Sequence, residues 1–493
     1  MDGAPLLIAL LAVPFVAAVA SLLVPSPRGV LALLFATGLA VAGLAGLAAW
    51  TVADHGPIFA AGSWLFLDAL SAYNLLVLVV VYLSSTAYAF RYFADEHEAE
   101  SWTRRVARQF GGLWAGALGA MVAVLLSNNL GILWVGIEAT TVLTAFLICL
   151  HVTSVSLEAM WKYLLICSVG VGLAFMGTLL VAKSAVPLAL DPAKTLLWTT
   201  LRDHADQLDP ATARAGFLFL LVGYGTKAGL APMHSWLPDA HSQAPAPVSA
   251  LFSGFMLNAA LYCLMRYLPI VEGACGHSGW AQGLMVTFGL VSILVAAAFI
   301  LFQQDVKRLL AYSSVEHLGI VTLGLGLGGL GTFAALFHTA NHSLAKTLAF
   351  FSAGRLGQSH GTHEISVLRG TLRSHPVWGA GLLGGLLALI GVAPFAPFMS
   401  ELLVARAAVQ TGSTWTLVLF LAGLGAVFVG ALRYALGMAW GRAEREPLPE
   451  RHNALDVVLV VVPLVTLLIL GLWMPAPLEA ALNQAALVIG GTR

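Results

Sequence analysis

Four ionisable side chains stand inside otherwise apolar runs: Glu138 in LWVGIEATTVL, Lys227 in LLVGYGTKAGLAP, Lys346 in FHTANHSLAKTLAFF and Glu401 in PFAPFMSELLV. Carboxylates and amines of this kind can take up and release protons. Each one costs roughly 2.5–3.5 kcal/mol at the centre of a bilayer, and four cost on the order of 10 kcal/mol, comparable with the stability of a whole domain. A fold retains such groups only if they pair, meet water or carry function. Two readings stay open for Glu138 and Lys227: a static pair that pins two helices, or a proton relay whose amine is switched by the distance of its carboxylate. The static reading explains one pair better than it explains the whole series, because apolar side chains hold helices together at lower cost.

Spacing sharpens the relay reading. His338, His342 and Lys346 fall at i, i+4 and i+8, on one face of a helix and about 12 Å from end to end. Imidazoles titrate near neutrality and hand protons on. Lone histidines such as His277 and His375 are read as packing residues. Lys227 is followed by Gly229 and Pro232, and Glu401 is preceded by Pro394 and Pro397. Each cluster predicts a helix break, since proline lacks an amide donor. The backbone groups freed in this way must face protein or water. His234, Asn258, Glu316 and His317 form a secondary set along the same path.

These residues need a scaffold, and composition names its solvent. The 493 residues are 59% hydrophobic and 10% charged, against about 45–50% and about 25% in soluble domains. Mean hydropathy is +0.88. Runs of about 20 apolar residues predict an all-α polytopic membrane protein with about fourteen spans, 7 and 12 being broken. They lie near 4–24, 29–53, 66–89, 110–127, 129–151, 160–182, 213–231, 245–268, 280–303, 308–329, 331–354, 377–410, 413–440 and 454–474. The first span has no basic start or cleavage site and reads as a retained helix. Net charge is zero, which gives no argument for nucleic acid. Cys149, Cys167, Cys263 and Cys275 lack ligand spacing, so no metal or cofactor site is expected.

One set of loops holds Arg28, Arg91, Arg104, Arg105, Arg108, Lys162, Lys307, Arg308, Arg355, Arg369, Arg373, Arg442, Arg445 and Arg451. The other side holds Lys183, Lys194, Arg202, Arg214, Arg266, Arg406 and Arg493. The larger set is placed in the cytoplasm and both termini on the outer face. A weak repeat pairs Gly229-Leu-Ala-Pro232 with Gly391-Val-Ala-Pro394, Arg266-Tyr267 with Arg433-Tyr434, and Glu138 with Glu316. The expected organisation is an N-terminal part (1–109), two inverted five-helix repeats (110–268 and 280–440) and a C-terminal helix (441–493).

The stretches KAGLAPMHSWLPDAHSQAPAPVSALFSG (227–254), DVKRLLAYSSVEHLG (305–319) and FHTANHSLAKTLAFFSAG (337–354) resemble the antiporter-like membrane subunits of the complex I superfamily. NNLGILWVGIEATT (128–141) resembles most the F-type subunits of hydrogenase-4 and formate hydrogenlyase complexes. The resemblance implies fourteen helices, with repeats over helices 4–8 and 9–13. It also implies proton translocation driven by redox chemistry in neighbouring subunits. By position, Glu138, Lys227, His338, His342, Lys346 and Glu401 match the family's relay. Several members carry a lysine where this chain has Asn258, which cannot hold a charge. The long lateral C-terminal helix of some relatives is not expected. Expected partners are other membrane subunits, a peripheral redox arm that holds the redox centres, the lipid bilayer and protons, in a bacterial or archaeal inner membrane. Two alternatives share these motifs: a subunit of a multisubunit sodium/proton antiporter, and a coupling subunit of an inorganic-carbon uptake system.

Overall fold

The computed structural model describes residues 3–98, 101–442 and 452–490. The chain is a bundle of α-helices. In order these are α1 (Ala4–Ser21), α2 (Pro27–His55), α3 (Ala69–Glu98), α4 (Arg104–Leu126), α5 (Leu130–Ile148), α6 (Ser154–Ser184), the short α7 (Trp198–Asp203), α8 (Pro210–Ala228), α9 (Leu237–Gln243) and α10 (Ala246–Leu251). They continue with α11 (Leu257–Ala274), α12 (Trp280–Ile300), α13 (Val306–Leu327), α14 (Leu330–His360), the short α15 (Thr371–Ser374), α16 (Pro376–Leu389), α17 (Ala396–Gln410), α18 (Thr414–Trp440), α19 (Ala454–Leu472) and α20 (Ala476–Gly490). A π turn over Phe252–Met256 joins α10 to α11.

Among the described residues, eleven helices are long and apolar enough to cross a membrane. The three other expected spans are those that carry polar residues or breaks. The stretch 213–231 ends within a break between α8 and α9, α14 is interrupted by His, Asn, Ser and Thr, and 377–410 divides into α16 and α17. Local chemistry sets many helix starts. Asn129 accepts from the amides of Gly131 and Ile132 at 2.9 and 3.2 Å, Asp305 accepts from Arg308 at 2.9 Å, and Thr153 with Ser156 closes a capping box. Small residues bring helices into backbone contact. A Cβ on Gly223 of α8 would lie 2.5 Å from the backbone nitrogen of Ala174 in α6, and one on Gly289 of α12 would lie 2.6 Å from that of Leu323 in α13.

The sequence pattern did not foresee four elements. Strands β1 (Ile58–Ala60) and β2 (Leu65–Leu67) form an antiparallel hairpin between α2 and α3. Leu65 bridges to Ser127, and Asn129 bridges to Leu197, so the hairpin, the α4–α5 turn and the stretch before α7 seal one face of the bundle. Helix α7, the π turn and α20 are the other three. Helix α20 packs against α3, α11 and α14.

The N-terminus lies on the hairpin face, where Gly3 meets Ile58. The larger set of cations falls at helix ends on the opposite face; Arg445, Arg451 and, from the smaller set, Arg493 lie outside the described residues. On that opposite face Arg91 pairs with Asp95 at 2.9 Å and with buried Asp456 at 3.3 Å, while Arg355 also contacts Asp95. Lys162 and Arg308 share Asp239 at 3.1 and 2.5 Å. Two expectations change. Lys307, counted among the loop cations, is buried and donates to the carbonyls of Ser242 and Ala244 at 2.8 and 2.5 Å, capping the end of α9. Arg266, placed at an outer loop, is buried and forms a bidentate pair with Asp68.

The core lies around α10, α11 and α13, which are wholly enclosed by other helices, whereas α1, α18 and α19 are largely exposed. Their exposed Val, Leu and Trp side chains, such as Val16, Leu23, Trp415 and Val429, are those of a surface in contact with lipid.

Candidate functional site

The break after Lys227 is built as the glycine and proline require. Gly229 ends α8 in the left-handed region with φ 76°, and Gly391 does the same between α16 and α17 with φ 67°. The Ala231–Pro232 and Ala393–Pro394 bonds are both cis. The freed backbone groups are met by protein. Ser292 Oγ accepts from the Ala231 amide at 3.0 Å, Trp236 Nε1 donates to the Thr226 carbonyl at 2.9 Å, and Asn341 Nδ2 donates to the Ala396 carbonyl at 3.1 Å. The two breaks therefore share one local geometry. The Arg-Tyr pairs do not: Arg266 is buried, whereas Arg433 is exposed and donates to the Leu301 carbonyl at 3.0 Å.

Lys227 and Glu138 form no direct salt bridge among the described residues. The fully buried Lys227 ammonium donates to Thr141 Oγ1 at 3.0 Å and Tyr163 OH at 2.5 Å, and lies 4.7 Å from the Tyr163 ring centre. Glu138 accepts from Ser168 Oγ at 2.9 Å through one oxygen, and its other oxygen is buried without a partner. Two hydroxyls thus hold the amine near the carboxylate without neutralising it. Tyr163 OH also shares a 2.6 Å hydrogen bond with Thr144 Oγ1, which donates toward Met256 Sδ at 3.6 Å.

Met256 belongs to the π turn, and the turn is a junction. Its Gly254 carbonyl, freed from regular α-bonding, accepts from Ser343 Oγ at 2.5 Å and from Asn258 Nδ2 at 3.0 Å. Its Ser253 hydroxyl shares a 2.7 Å hydrogen bond with Ser314 of α13. Asn258, buried, keeps an unpartnered Oδ1. Beside the turn lies buried His241 of α9. Its ring packs near Phe252 and Phe350, its Nδ1 contacts the Leu237 carbonyl at 3.0 Å, and its Nε2 has no partner. His234, in the break itself, is half-buried, sits against Phe299 and Tyr312, and has an unpartnered Nδ1.

The stripe on α14 converges on α13. His338 Nε2 and His317 Nδ1 share a hydrogen bond of 2.8 Å, one ring donating and the other accepting. The His342 ring lies 5.1 Å from that of His317, and all three are buried. His338 Nδ1 contacts Ser400 Oγ at 2.8 Å, which carries the line into α17 and to buried Glu401. One atom each from His317, His338 and Glu401 lies within 4.8 Å of the others. At the other end, Lys346 Nζ donates to the Leu310 carbonyl at 2.7 Å. Among the described residues, Glu316 and Glu401 each keep a buried oxygen without a partner, and His317 Nε2 and both nitrogens of His342 likewise have none. Buried polar atoms are nearly always satisfied, so this run of unpartnered nitrogens and oxygens among the described residues stands out from the rest of the interior.

All ten residues picked from the sequence therefore lie in the interior or in the helix breaks. The sequence missed Tyr163, Thr141, Thr144, His241, Ser343 and Ser400, the hydroxyls and imidazole that connect them. Only His241, in the motif that follows the first break, carried a signal. His277 is no packing residue: it is exposed, at φ 56°, in the α11–α12 loop. His375 is buried against His360, with Nε2 unpartnered. All four cysteines are free, Cys167 and Cys263 being buried.

The fold and the site define a polytopic helical membrane protein whose ionisable groups run across the bundle interior. Residues 127–427, more than half of the chain, match the family described as NADH:quinone oxidoreductase/Mrp antiporter, transmembrane, and the chain belongs to it. It is 41% identical over 348 residues to the hydrogenase-4 component F homolog of Methylacidiphilum infernorum, covering 70% of this chain and 73% of that protein. It is 31% identical over 379 residues to NADH-quinone oxidoreductase subunit N of Halorhodospira halophila, covering 74% and 75%. A chain of the membrane-bound sulfane sulfur reductase, an archaeal respiratory membrane complex, superposes with TM-score 0.87 at 25% identity, covering 98% of this chain and 97% of that one.

Proposed function

We propose that the chain is the proton-translocating membrane subunit of a redox-driven, complex I-like or hydrogenase-like assembly in a bacterial or archaeal cell membrane. The observation that carries this reading is the buried row His342, His317, His338 and Ser400 between Lys346 and Glu401, hydrogen-bonded in part and otherwise unpartnered. Each neutral imidazole has one donating and one accepting nitrogen, so it can receive a proton on one side and release it on the other. Lys227, held by two hydroxyls close to Glu138, is the loading site of the first half. Asn258, His241 and the π turn join the halves. The similarity to hydrogenase-4, complex I and sulfane sulfur reductase subunits supports a place beside other membrane subunits and a peripheral arm that holds the redox centres.

In this reading the helices form fourteen spans, with α8–α9 and α16–α17 as the broken seventh and twelfth. Helices 4–8 and 9–13 are inverted repeats, supported by the matched geometry at Gly229 and Gly391. The cation-rich face is cytoplasmic. Proton transport is favoured over sodium because the row is made largely of imidazole nitrogens, whereas hard cations prefer oxygen ligands.

The test is proton uptake by vesicles that carry the complex, driven by its own redox reaction. Lys227→Ala abolishes uptake in an assembled complex, and Glu138→Gln reduces it. Normal uptake by assembled Lys227→Ala would leave the amine a structural group and end the relay reading.

A further inference from the structure

The buried pair Asp68–Arg266 lies outside this row. Asp68 follows β2 directly, and Arg266 lies midway along α11, level with the start of α3. The guanidinium meets both carboxylate oxygens, at 2.6 and 2.7 Å, and also Ser71 Oγ at 2.5 Å and Tyr262 OH at 2.8 Å. Asn258, Tyr262 and Arg266 are spaced i, i+4 and i+8, so they share one face of α11, as the histidine stripe does on α14. Asp68, Ser71 and Asn74 run in the opposite direction along the start of α3.

The register of α3 and α11 follows from two contacts. Ser71 Oγ meets Tyr262 OH at 2.9 Å, and a Cβ on Gly254 would lie 2.9 Å from Val81 Cγ1. Inward from the first contact, Asn74 lies three residues along α3 and Asn258 four along α11, about 4.5 and about 6 Å. The two amides are therefore nearly level. Both are buried, and each has an Oδ1 with no hydrogen-bond partner among the described residues. Asn258 also reaches toward Ser343 of α14 at 3.4 Å, on the helix of the histidine stripe. At the outer end, Arg266 and Arg202 lie 4.5 and 5.1 Å from the ring centre of Trp198. Arg202, Asp203, Asp206 and His277 line a polar cavity of about 440 Å³.

We propose that the α3–α11 seam is a second proton outlet, leading from Asn258 past Asn74 and Tyr262 to the Arg202 cavity on the hairpin face, with the Asp68–Arg266 pair as its plug. This outlet rests on the reading of the chain as a proton translocator. With the pair made, the carboxylate is fully engaged and the fixed positive charge repels protons. With the pair parted, Asp68 accepts a proton from the Tyr262 side and gives it to the cavity, and no other species is consumed. Asp68 is then a group that touches the transferred proton, and Arg266 is its positioning residue.

The experiment measures passive decay of an imposed pH gradient in proteoliposomes of the whole complex, with no redox substrate. Arg266→Gln frees Asp68 and is expected to speed decay at least about tenfold, since parting a buried pair shifts an equilibrium by more than that factor. Adding Asn74→Leu to that variant returns decay to the wild-type rate. Arg266→Lys keeps the charge but loses the bidentate geometry, and it gives a smaller increase should Arg266→Gln not assemble. Wild-type tightness in every assembled Arg266 variant overturns the outlet. So does a leak that Asn74→Leu leaves unchanged. Redox-driven uptake by the wild type is scored separately: its absence would defeat the translocator reading and leave the leak result standing.

Discussion

At the residue scale, ionisable side chains in apolar runs are the most readable feature of this chain, because lipid makes them too costly to be incidental. The sequence located Lys227 and Glu138 but left open whether they pair. The structure separates them, giving the amine to Tyr163 and Thr141 and the carboxylate to Ser168. Tyr163→Phe removes the closest partner of Lys227 and leaves Thr141 in place. It is expected to slow proton uptake severalfold without preventing assembly, because Thr141 still accepts from the amine. Uptake equal to wild type would show that the Tyr163 hydroxyl only packs. The connecting hydroxyls were illegible for a physical reason. Ser and Thr are common in membrane helices, where they bond back to the preceding turn, as Thr37 does to the Leu33 carbonyl at 2.8 Å. Nothing in sequence distinguishes Thr37 from Thr144.

At the element scale, both helix breaks were legible because glycine and proline act locally. The hairpin, the π turn and α20 were not. Three-residue strands give too little alternation to read, and a π turn has no composition of its own. The breaks also show why Gly391 must be glycine. Its φ is 67°, and a Cβ there would collide with the Glu401 carboxylate. Gly391→Ala is expected to destabilise the α16–α17 junction by more than about 1 kcal/mol and to displace Glu401. A lowered unfolding temperature of the detergent-solubilised complex, together with weakened proton uptake, checks this. A second element, the α5–α6 loop, is expected to respond to pH. His151 Nε2 lies 2.9 Å from Glu96 Oε2, and this hydrogen bond holds the imidazole above its usual protonation range. A raised folded value means that the pair contributes fully below the unfolded pKa of about 6.5. Its contribution fades as pH rises through the folded value. Amide exchange in residues 149–153 should therefore accelerate on raising pH beyond the intrinsic base-catalysed increase. His151→Gln should remove that excess, and an unchanged excess would place the switch elsewhere.

At the scale of the whole molecule, the arrangement is a bundle divided between a lipid-facing shell and an enclosed interior, with polar chemistry confined to the interior. Helices α10, α11 and α13 touch almost no outside surface; they carry Asn258, Glu316 and His317 and link the two broken helices. In the proposed translocation, with the Asp68–Arg266 pair made, a proton loaded at Lys227 crosses this interior before it leaves, so the last acidic group on the line controls net transfer. That group is Glu401, on the far side of His317 and His338 and beside the second break. A carboxylate suits release, because in water it gives up a proton readily, with an unperturbed pKa of about 4.3. Glu401→Gln preserves the shape packed against Gly391 and removes the exchangeable charge. Uptake per redox turnover is expected to fall to background in an assembled complex, with the partner subunits still able to react when the gradient is collapsed by an uncoupler. Two readings from one preparation, proton uptake and redox rate, decide the matter. Unchanged uptake would move the exit away from Glu401, to the α3–α11 seam, to α19 or to a neighbouring subunit. Equal loss of uptake and of uncoupled redox rate would make Glu401 a site needed for assembly or turnover, not the group that releases the proton.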